Sequence, residues 1–303
     1  MIRKLLIIGG GLIGGSIARA AREVCDTIVV ADSSAHARAA ITRLGFADIV
    51  ADIMTEGGAD HADADLVILC VPPGRMREAA APVLSHLAPG AIVSDVGSYK
   101  ASVITDLADL VPDGVHFIPG HPIAGTEFSG PEAGFAELFR DRWCVLTPLP
   151  EADADAVGKI TAFWEALGSQ VALMEPARHD LVLATTSHVP HLIAYALVGT
   201  ATDMETVTDN EVVKYSAGGF RDFTRIAASD PALWRDVMLG NKDGILEVVE
   251  RFIEDLSALK RAIRWNDDAA LMDHFTKAAA IRSRILDAGQ DAPALRRINK
   301  PKG

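Results

Sequence analysis

Short apolar runs separated by stretches of helical rhythm set the character of the first 175 residues. Leu5-Leu6-Ile7-Ile8, Thr27 to Val30, Leu66 to Val71, Ala91 to Ser94 and Val115 to Ile118 read as strands covered on both faces, because their apolar residues are contiguous rather than alternating. Helices fill the intervals over Ser16 to Glu23, Ala35 to Leu44, Arg75 to Leu87 and from near Ala101, with a shorter segment at Asp48 to Val50. A strand at Trp143 to Thr147, a helix over Ala152 to Leu167 and a strand at Gln170 to Met174 complete the expected sheet. Strands alternating with helices predict an α/β domain with a mostly parallel sheet wound on both faces, ending near Glu175.

Beyond Pro176 strand signals stop and helical periodicity takes over. Asp180 to Val198 is apolar nearly all round, which predicts a helix buried on every side. Within it His188 and His191 share one face, and Pro190 is expected to bend the axis or free a carbonyl. Ile245, Val248, Val249, Phe252, Ile253, Leu256, Leu259 and Ile263 mark a long amphipathic helix, and Ala269 to Leu286 one more. Residues 176–303 are therefore expected to form an all-helical second domain whose apolar surface packs against another copy, giving a homodimer. The polar tail from Ala288 to Gly303 is expected to fray.

The first strand runs into Gly9-Gly10-Gly11-Leu12-Ile13-Gly14, a GxGxxG turn before a helix. Gly9 suits a tight turn, Gly11 the close approach of a pyrophosphate, and Gly14 close packing of helix on strand, while the following helix N-terminus offers amides and positive dipole to the phosphates and Leu12 and Ile13 of the turn lie beside the cofactor. The second strand ends in Asp32, eighteen positions beyond Gly14, where a carboxylate would bond ribose hydroxyls. Asp32 favours NAD; Ser33, Ser34 and Arg38 keep NADP open, and helix capping is the bland alternative for the aspartate. Val71 and Pro72 end the fourth strand beside the expected adenosine site. These motifs make the domain over residues 1–175 a Rossmann-type, doubly wound dinucleotide-binding domain, followed by the helical substrate-binding and dimerisation domain over 176–303.

Two further strand ends are polar. Ser98 and Lys100 follow Asp95-Val96-Gly97 and could face nicotinamide or substrate, although Ser98 could equally cap the next helix. Gly120-His121-Pro122-Ile123-Ala124-Gly125-Thr126-Glu127 follows the strand Val115 to Ile118, so His121 is expected to emerge in a loop at the carboxyl end of the sheet, with Thr126 presented beside it and Glu127 orienting a neighbour. A lone histidine after a strand is commonly no more than a partner for a backbone carbonyl. In the helical half, Arg225 of Gly218-Gly219-Phe220-Arg221-Asp222-Phe223-Thr224-Arg225 offers a planar fork for a carboxylate; the bland alternative pairs it with Asp222 on the surface.

Composition narrows the choices. With 303 residues, 49% apolar and 23% charged, the chain has the make-up of an ordinary globular protein. A formal charge of −12 disfavours nucleic acid or an anionic membrane as partner and requires a local cationic cluster for any acidic substrate. Cys25, Cys70 and Cys144 show no metal or disulfide spacing, and no apolar run approaches a bilayer-spanning length, so the protein is expected in the cytoplasm without a bound metal.

Taken together, Gly9 to Gly14, Asp95-Val96-Gly97-Ser98, Gly120 to Glu127, Ser187-His188-Val189-Pro190-His191, Gly218 to Arg225 and Asp230-Pro231-Ala232-Leu233-Trp234-Arg235 resemble, in order and spacing, the prephenate and arogenate (cyclohexadienyl) dehydrogenases. The resemblance runs from about Leu5 to Phe252. It implies NAD(P)-dependent oxidative decarboxylation of prephenate to 4-hydroxyphenylpyruvate, or of arogenate to tyrosine. In it His121 would accept a hydrogen bond from the ring hydroxyl, Ser98 would bond that hydroxyl and the nicotinamide side, and Arg225 would bind a substrate carboxylate with His191 assisting. Thr126, Glu127, Gly218 and Trp234 match pocket positions, Trp234 reaching across a dimer. Activity is expected to fall on the acid side near the ordinary histidine value of roughly 6.5, adjusted by burial. Two other readings compete. A β-hydroxyacid or 6-phosphogluconate type of dehydrogenase would need a lysine such as Lys214 or Lys242 in the helical half, and a dinucleotide-sensing dimer without turnover would not need His121, Ser98 and Arg225 to converge.

Overall fold

A computed structural model describes residues 2–52, 58–126, 128–205, 214, 215 and 217–287. Six parallel strands form one sheet in the order β3-β2-β1-β4-β5-β6: β1 Ile2–Ile8, β2 Cys25–Ala31, β3 Ile49–Ala51, β4 Leu66–Leu69, β5 Ile92–Asp95 and β6 His116–Phe117. The helices between them are α1 Leu12–Ala20, α2 Ala35–Leu44, α3 Met76–Leu84 and α4 Ala101–Leu107. Alternate residues of each strand feed separate cores. Leu5, Ile7, Ile28, Val30 and Ile68 pack in one, while Leu6, Ile8, Val29, Val67 and Leu69 pack in the other. Both faces are therefore covered, which is why these strands read as unbroken apolar runs.

The helix after the glycine loop starts at Leu12, four residues earlier than the sequence suggested, with Gly11 at its cap. Two expectations about the sheet also need correction. The strands at 143 and 170 do not complete the parallel sheet; with β7 Gly120–Pro122 they form a second sheet, β7-β8-β9, in which β8 Trp143–Leu146 pairs antiparallel to β7 and parallel to β9 Gln170–Leu173. His121 accordingly lies within a strand opposite Val145, not in a loop past the end of one. Helix α5, Ala154–Ala166, connects β8 to β9 and packs Ile160, Phe163 and Trp164 into the first core.

The chain separates into two compact units, Met1–Ile245 and Leu246–Gly303. Helices α6 Pro176–Leu183, α7 Val189–Glu205, α8 Gly218–Thr224 and α9 Pro231–Gly240 belong to the first, with both sheets. Between α6 and α7 the backbone makes a π-helical turn over Ala184–His188, just before Pro190. A residue without an N–H cannot complete the regular ladder, and the wider turn is a usual response to such a break. The continuous run Pro176–Met204 reaches a mean hydropathy of 1.5, long and apolar enough to cross a bilayer by length and composition, contrary to the sequence-based expectation. Only 28% of its most apolar window is buried, so the expectation of burial on every side does not hold within one chain. Leu181, Val182, Leu197 and Val198 remain exposed.

The second unit contains most of α10, Lys242–Trp265, and all of α11, Asp268–Asp287. Phe252, Ile253, Leu256, Trp265 and Phe275 stand exposed on it. The tail expected to fray lies outside the described residues.

Candidate active site

The glycine turn has the shape of a phosphate cradle. Gly9 takes φ +102°, and a Cβ there would lie 2.6 Å from the Cys70 carbonyl oxygen. At Gly14 a Cβ would lie 1.9 Å from the Gly9 carbonyl oxygen, so α1 can press onto the turn only because that atom is missing. Gly11 faces open space and no side chain caps α1, which leaves the first amides of Leu12 and Ile13 for an anion. A cleft of about 350 Å³, lined by Gly9, Gly11, Asp32, Val71 and Pro72, opens beside it. The residues present fit a dinucleotide.

Asp32 is not a helix cap; Ser34 takes that place on α2. Its carboxylate accepts from Gly10 N at 2.9 Å and from Ser34 N at 2.9 Å, fixing a negative charge at the end of β2. Arg38 is turned inward. It donates to the carbonyls of Asp32 (2.8 Å) and Ser33 (2.9 Å) and pairs with Asp52 at 2.9 Å.

Around His121 lies a buried polar network that the sequence did not announce. His121 Nδ1 meets His179 Nε2 at 2.9 Å, and His179 Nδ1 meets Asp180 Oδ1 at 2.9 Å. The same carboxylate accepts from Lys100 N (2.7 Å) and Ala101 N (2.8 Å), capping α4 from eighty residues away. Ser98 therefore does not cap that helix. Lys100 does not face a ligand either. It is fully buried, paired with the equally buried Asp95, and donates to the Gly120 carbonyl at 2.6 Å. Asp95 in turn accepts from Gly97 N (2.8 Å) and Gly120 N (3.2 Å), so it ties the Ser98 turn to the strand that carries His121.

His188 is buried, and its Nδ1 accepts from Asn241 Nδ2 at 3.0 Å, which places its proton on Nε2. Nε2 meets no partner at hydrogen-bonding geometry among the described residues. Burial pulls this ring down to about 4, with the Asp180 charge and the Ser98 carbonyl acting the other way. His121 is lowered well below 6.5, first by burial and then by His179, Lys100 and His188.

Trp234 stacks on His191 of its own chain, ring centroids 3.4 Å apart, and approaches His188 edge-on at 6.2 Å, so it has a partner without crossing to a second copy. His191 Nδ1 donates to the Ser187 carbonyl at 2.9 Å. Burial lowers its pKa and the positive charge of Arg225 lowers it further. Arg225 ends α8 and is exposed. It does not pair with Asp222, which meets Arg221 at 3.4 Å, and it has no carboxylate partner among the described residues.

Trp234 thus joins His188 to His191 by ring contact, while His188 acts on His121, and Arg225 on His191, through charge. Thr126 lies on the exposed turn after β7, where its hydroxyl accepts from Phe128 N at 3.2 Å, and Gly218 opens α8 with only Arg221 near where a Cβ would be. Glu127 lies outside the described residues. Of the lysines of the competing dehydrogenase reading, Lys214 sits over the Tyr215 ring and Lys242 is exposed at the start of α10. His179, Asp180, Asp95 and Asn241 were not foreseen as parts of the site. The His179-Asp180 dipeptide was the available signal, since a carboxylate bonded to one ring nitrogen of a histidine fixes the state of the other.

Comparison with known proteins gives a consistent result. Models of the prephenate dehydrogenase nucleotide-binding domain and of the prephenate dehydrogenase dimerization domain match residues 17–173 and 175–277. The cyclohexadienyl dehydrogenase of Zymomonas mobilis is 42% identical over 93% of this chain and 96% of its own length. The prephenate dehydrogenase of Bacillus subtilis is 34% identical over 93% of this chain and 76% of its own. Among solved structures, prephenate dehydrogenase from Aquifex aeolicus with hydroxyphenyl propionate and NAD+ aligns with a TM-score of 0.86 at 34% identity, covering 94% of this chain and 99% of that one.

Proposed function

The chain belongs to the prephenate dehydrogenase family, and from that premise we propose how its own residues carry out the family's reaction. It is an NAD-dependent oxidoreductase of tyrosine biosynthesis that oxidatively decarboxylates prephenate or arogenate. The observation that carries the site assignment is the ring cluster His188, Trp234 and His191, with His121 acting on one side as a neutral base and, on the other, Arg225, whose guanidinium has no carboxylate partner among the described residues.

Gly9, Gly11, Leu12, Ile13, Gly14, Asp32, Val71 and Pro72 would hold the dinucleotide, with Ser98 at its nicotinamide side. Bound NAD+ supplies the hydride acceptor. His121, kept neutral by burial, takes the proton of the ring hydroxyl. Expulsion of carbon dioxide makes the ring aromatic, so the protein need only position the reactants and polarise one O–H. Arg225 holds a carboxylate, assisted by His191 and Trp234, and Thr126 and Gly218 are assigned to the same pocket; the role expected of Glu127 falls outside the described residues. The division follows the sequence: residues 1–175 hold the cofactor, and 176–303 hold the substrate and dimerise. The exposed apolar residues of α6 and α7 are what a second copy would cover. We read α6–α7 as a core and contact helix in a cytoplasmic enzyme, because His179, Asp180 and His188 on it are engaged in polar contacts within the chain.

Three expected results test this. Arg225→Ala should raise KM by about 10²-fold with kcat little changed, since a hydrogen-bonded charge contributes roughly 1.5–3 kcal/mol, and Arg225→Lys should restore only part because the fork is lost. Steady-state kinetics that showed kcat falling at constant KM would remove Arg225 from the binding role. The pH profile should also depart from the sequence-based expectation. A base whose pKa is lowered stays neutral to lower pH, so kcat/KM should be flat from pH 8 through 6.5 and fall only below it. An acid limb at or above 6.5 is incompatible with a lowered pKa at His121. Finally, the Asp32 charge and the engagement of Arg38 with Asp52 should make kcat/KM for NAD+ exceed that for NADP+ by on the order of 10²-fold, since a like-charge contact costs several kcal/mol. Asp32→Ala should narrow that ratio; an unchanged ratio would place the discrimination elsewhere.

A further inference from the structure

We infer that His179, held by Asp180, is a positioning residue that sets which nitrogen of His121 is free to accept a proton. The inference rests on the reading of His121 as the base. It begins at Asp180, whose carboxylate can only accept. His179 Nδ1, 2.9 Å away, must therefore carry hydrogen. A neutral ring with hydrogen on Nδ1 has a bare Nε2, and that atom lies 2.9 Å from His121 Nδ1. The single proton between the two rings then belongs to His121, whose Nδ1–H donates and whose Nε2 is left as a lone pair.

The alternative, a cationic His179 donating from both nitrogens, would leave Nε2 of His121 protonated and useless as a base. Several features act against it. Asp180 does not need a cationic ring to balance it, because it already accepts two amides at the start of α4, where the helix dipole favours negative charge. Among the described residues the other charged and titratable groups acting on His121 are His188 and Lys100, the latter paired with Asp95. A further cation would sit beside one already present. Asn241 supports the arrangement by donating to the Asp180 carbonyl at 2.7 Å.

The geometry also says what happens when His121 takes the substrate proton. Its Nδ1–H becomes a stronger donor toward His179, and the charge formed is stabilised through His179 by Asp180. Neither neighbour has to accept a proton itself. His179 and Asp180 would thus act through His121 without touching substrate.

The test uses the full-length enzyme with ¹⁵N-labelled histidine. Long-range ¹H–¹⁵N correlation, with His121 assigned by its loss in His121→Asn, should show His121 protonated at Nδ1 and bare at Nε2 at neutral pH. His179→Leu should let His121 adopt the other tautomer and lower kcat by about 10–100-fold, with KM for substrate and for NAD+ little changed, as is typical when the partner that orients a working histidine is removed. His179→Gln places an amide oxygen near the position of Nε2, can accept the same bond, and should recover most of the rate. Hydrogen on Nε2 of His121 in the wild type overturns the proposal. So do Gln and Leu variants that are equally impaired, or both unimpaired while His121→Asn is inactive. If the Leu variant does not fold, the wild-type spectrum and the Gln variant still decide. Normal turnover by His121→Asn would instead overturn the reading of the base itself.

Discussion

Replacing His121 with Asn is expected to lower kcat by about 10²–10⁴-fold, the usual contribution of a positioned acid or base, equivalent to roughly 3–5.5 kcal/mol of barrier. Asn keeps a polar group of similar reach toward His179 but has no lone pair basic enough to take a proton. Strand β7 should survive the change, because its ladder to β8 is made by backbone groups and its flanking residues Gly120 and Pro122 are buried independently of the ring. NAD+ affinity, measured by quenching of intrinsic fluorescence, should stay near the wild-type value, since the cradle residues of the first strand and α1 are untouched. A variant that turns over within about threefold of wild type would exclude proton transfer through this ring.

Replacing Lys100 with Met is expected to remove about 3–5 kcal/mol of stability, which is large against a typical total of about 5–15. Lys100 and Asp95 are both fully buried. Burial lowers the lysine pKa while the Asp95 charge opposes that shift. Loss of the ammonium leaves a carboxylate in the interior with, among the described residues, the amides of Gly97 and Gly120 to satisfy it. Much of the penalty is the uncompensated charge rather than the value of the pair, so Lys100→Met with Asp95→Asn should be markedly more stable than Lys100→Met alone. Denaturant midpoints at a constant slope measure both. A single variant within about 1 kcal/mol of wild type would show that water or a rearranged neighbour reaches the site. Catalysis should suffer as well, because Lys100 holds the carbonyl of Gly120, the residue before His121.

The cofactor cradle was legible because its information is local. Gly9, Gly14 and Asp32 each do something that only their own residue type permits, within one strand–turn–helix unit. For Arg225 the structure removes the bland alternative, because Asp222 meets Arg221 instead. Lys100 was misplaced because a lysine after a strand end is ordinarily solvent-facing, and nothing nearby in sequence shows that Asp95 and the Gly120 carbonyl enclose it. The second sheet was missed for the same kind of reason. Strand direction is set by which partner a segment finds, and β7 finds β8, more than twenty residues on, rather than continuing beside β6.

From the chain alone come the elements, the nucleotide loop, the switch from sheet to helices at Pro176 and the identity of the residue proposed to do the chemistry. These follow from periodicity and from the conformational limits of single residues, which act over a few positions. What only folding decided is how that residue is held. His121 faces His179, fifty-eight positions away, and Asp180 caps a helix eighty positions before it. Such contacts depend on burial, which removes water as the competing partner, and burial is a property of the assembled chain.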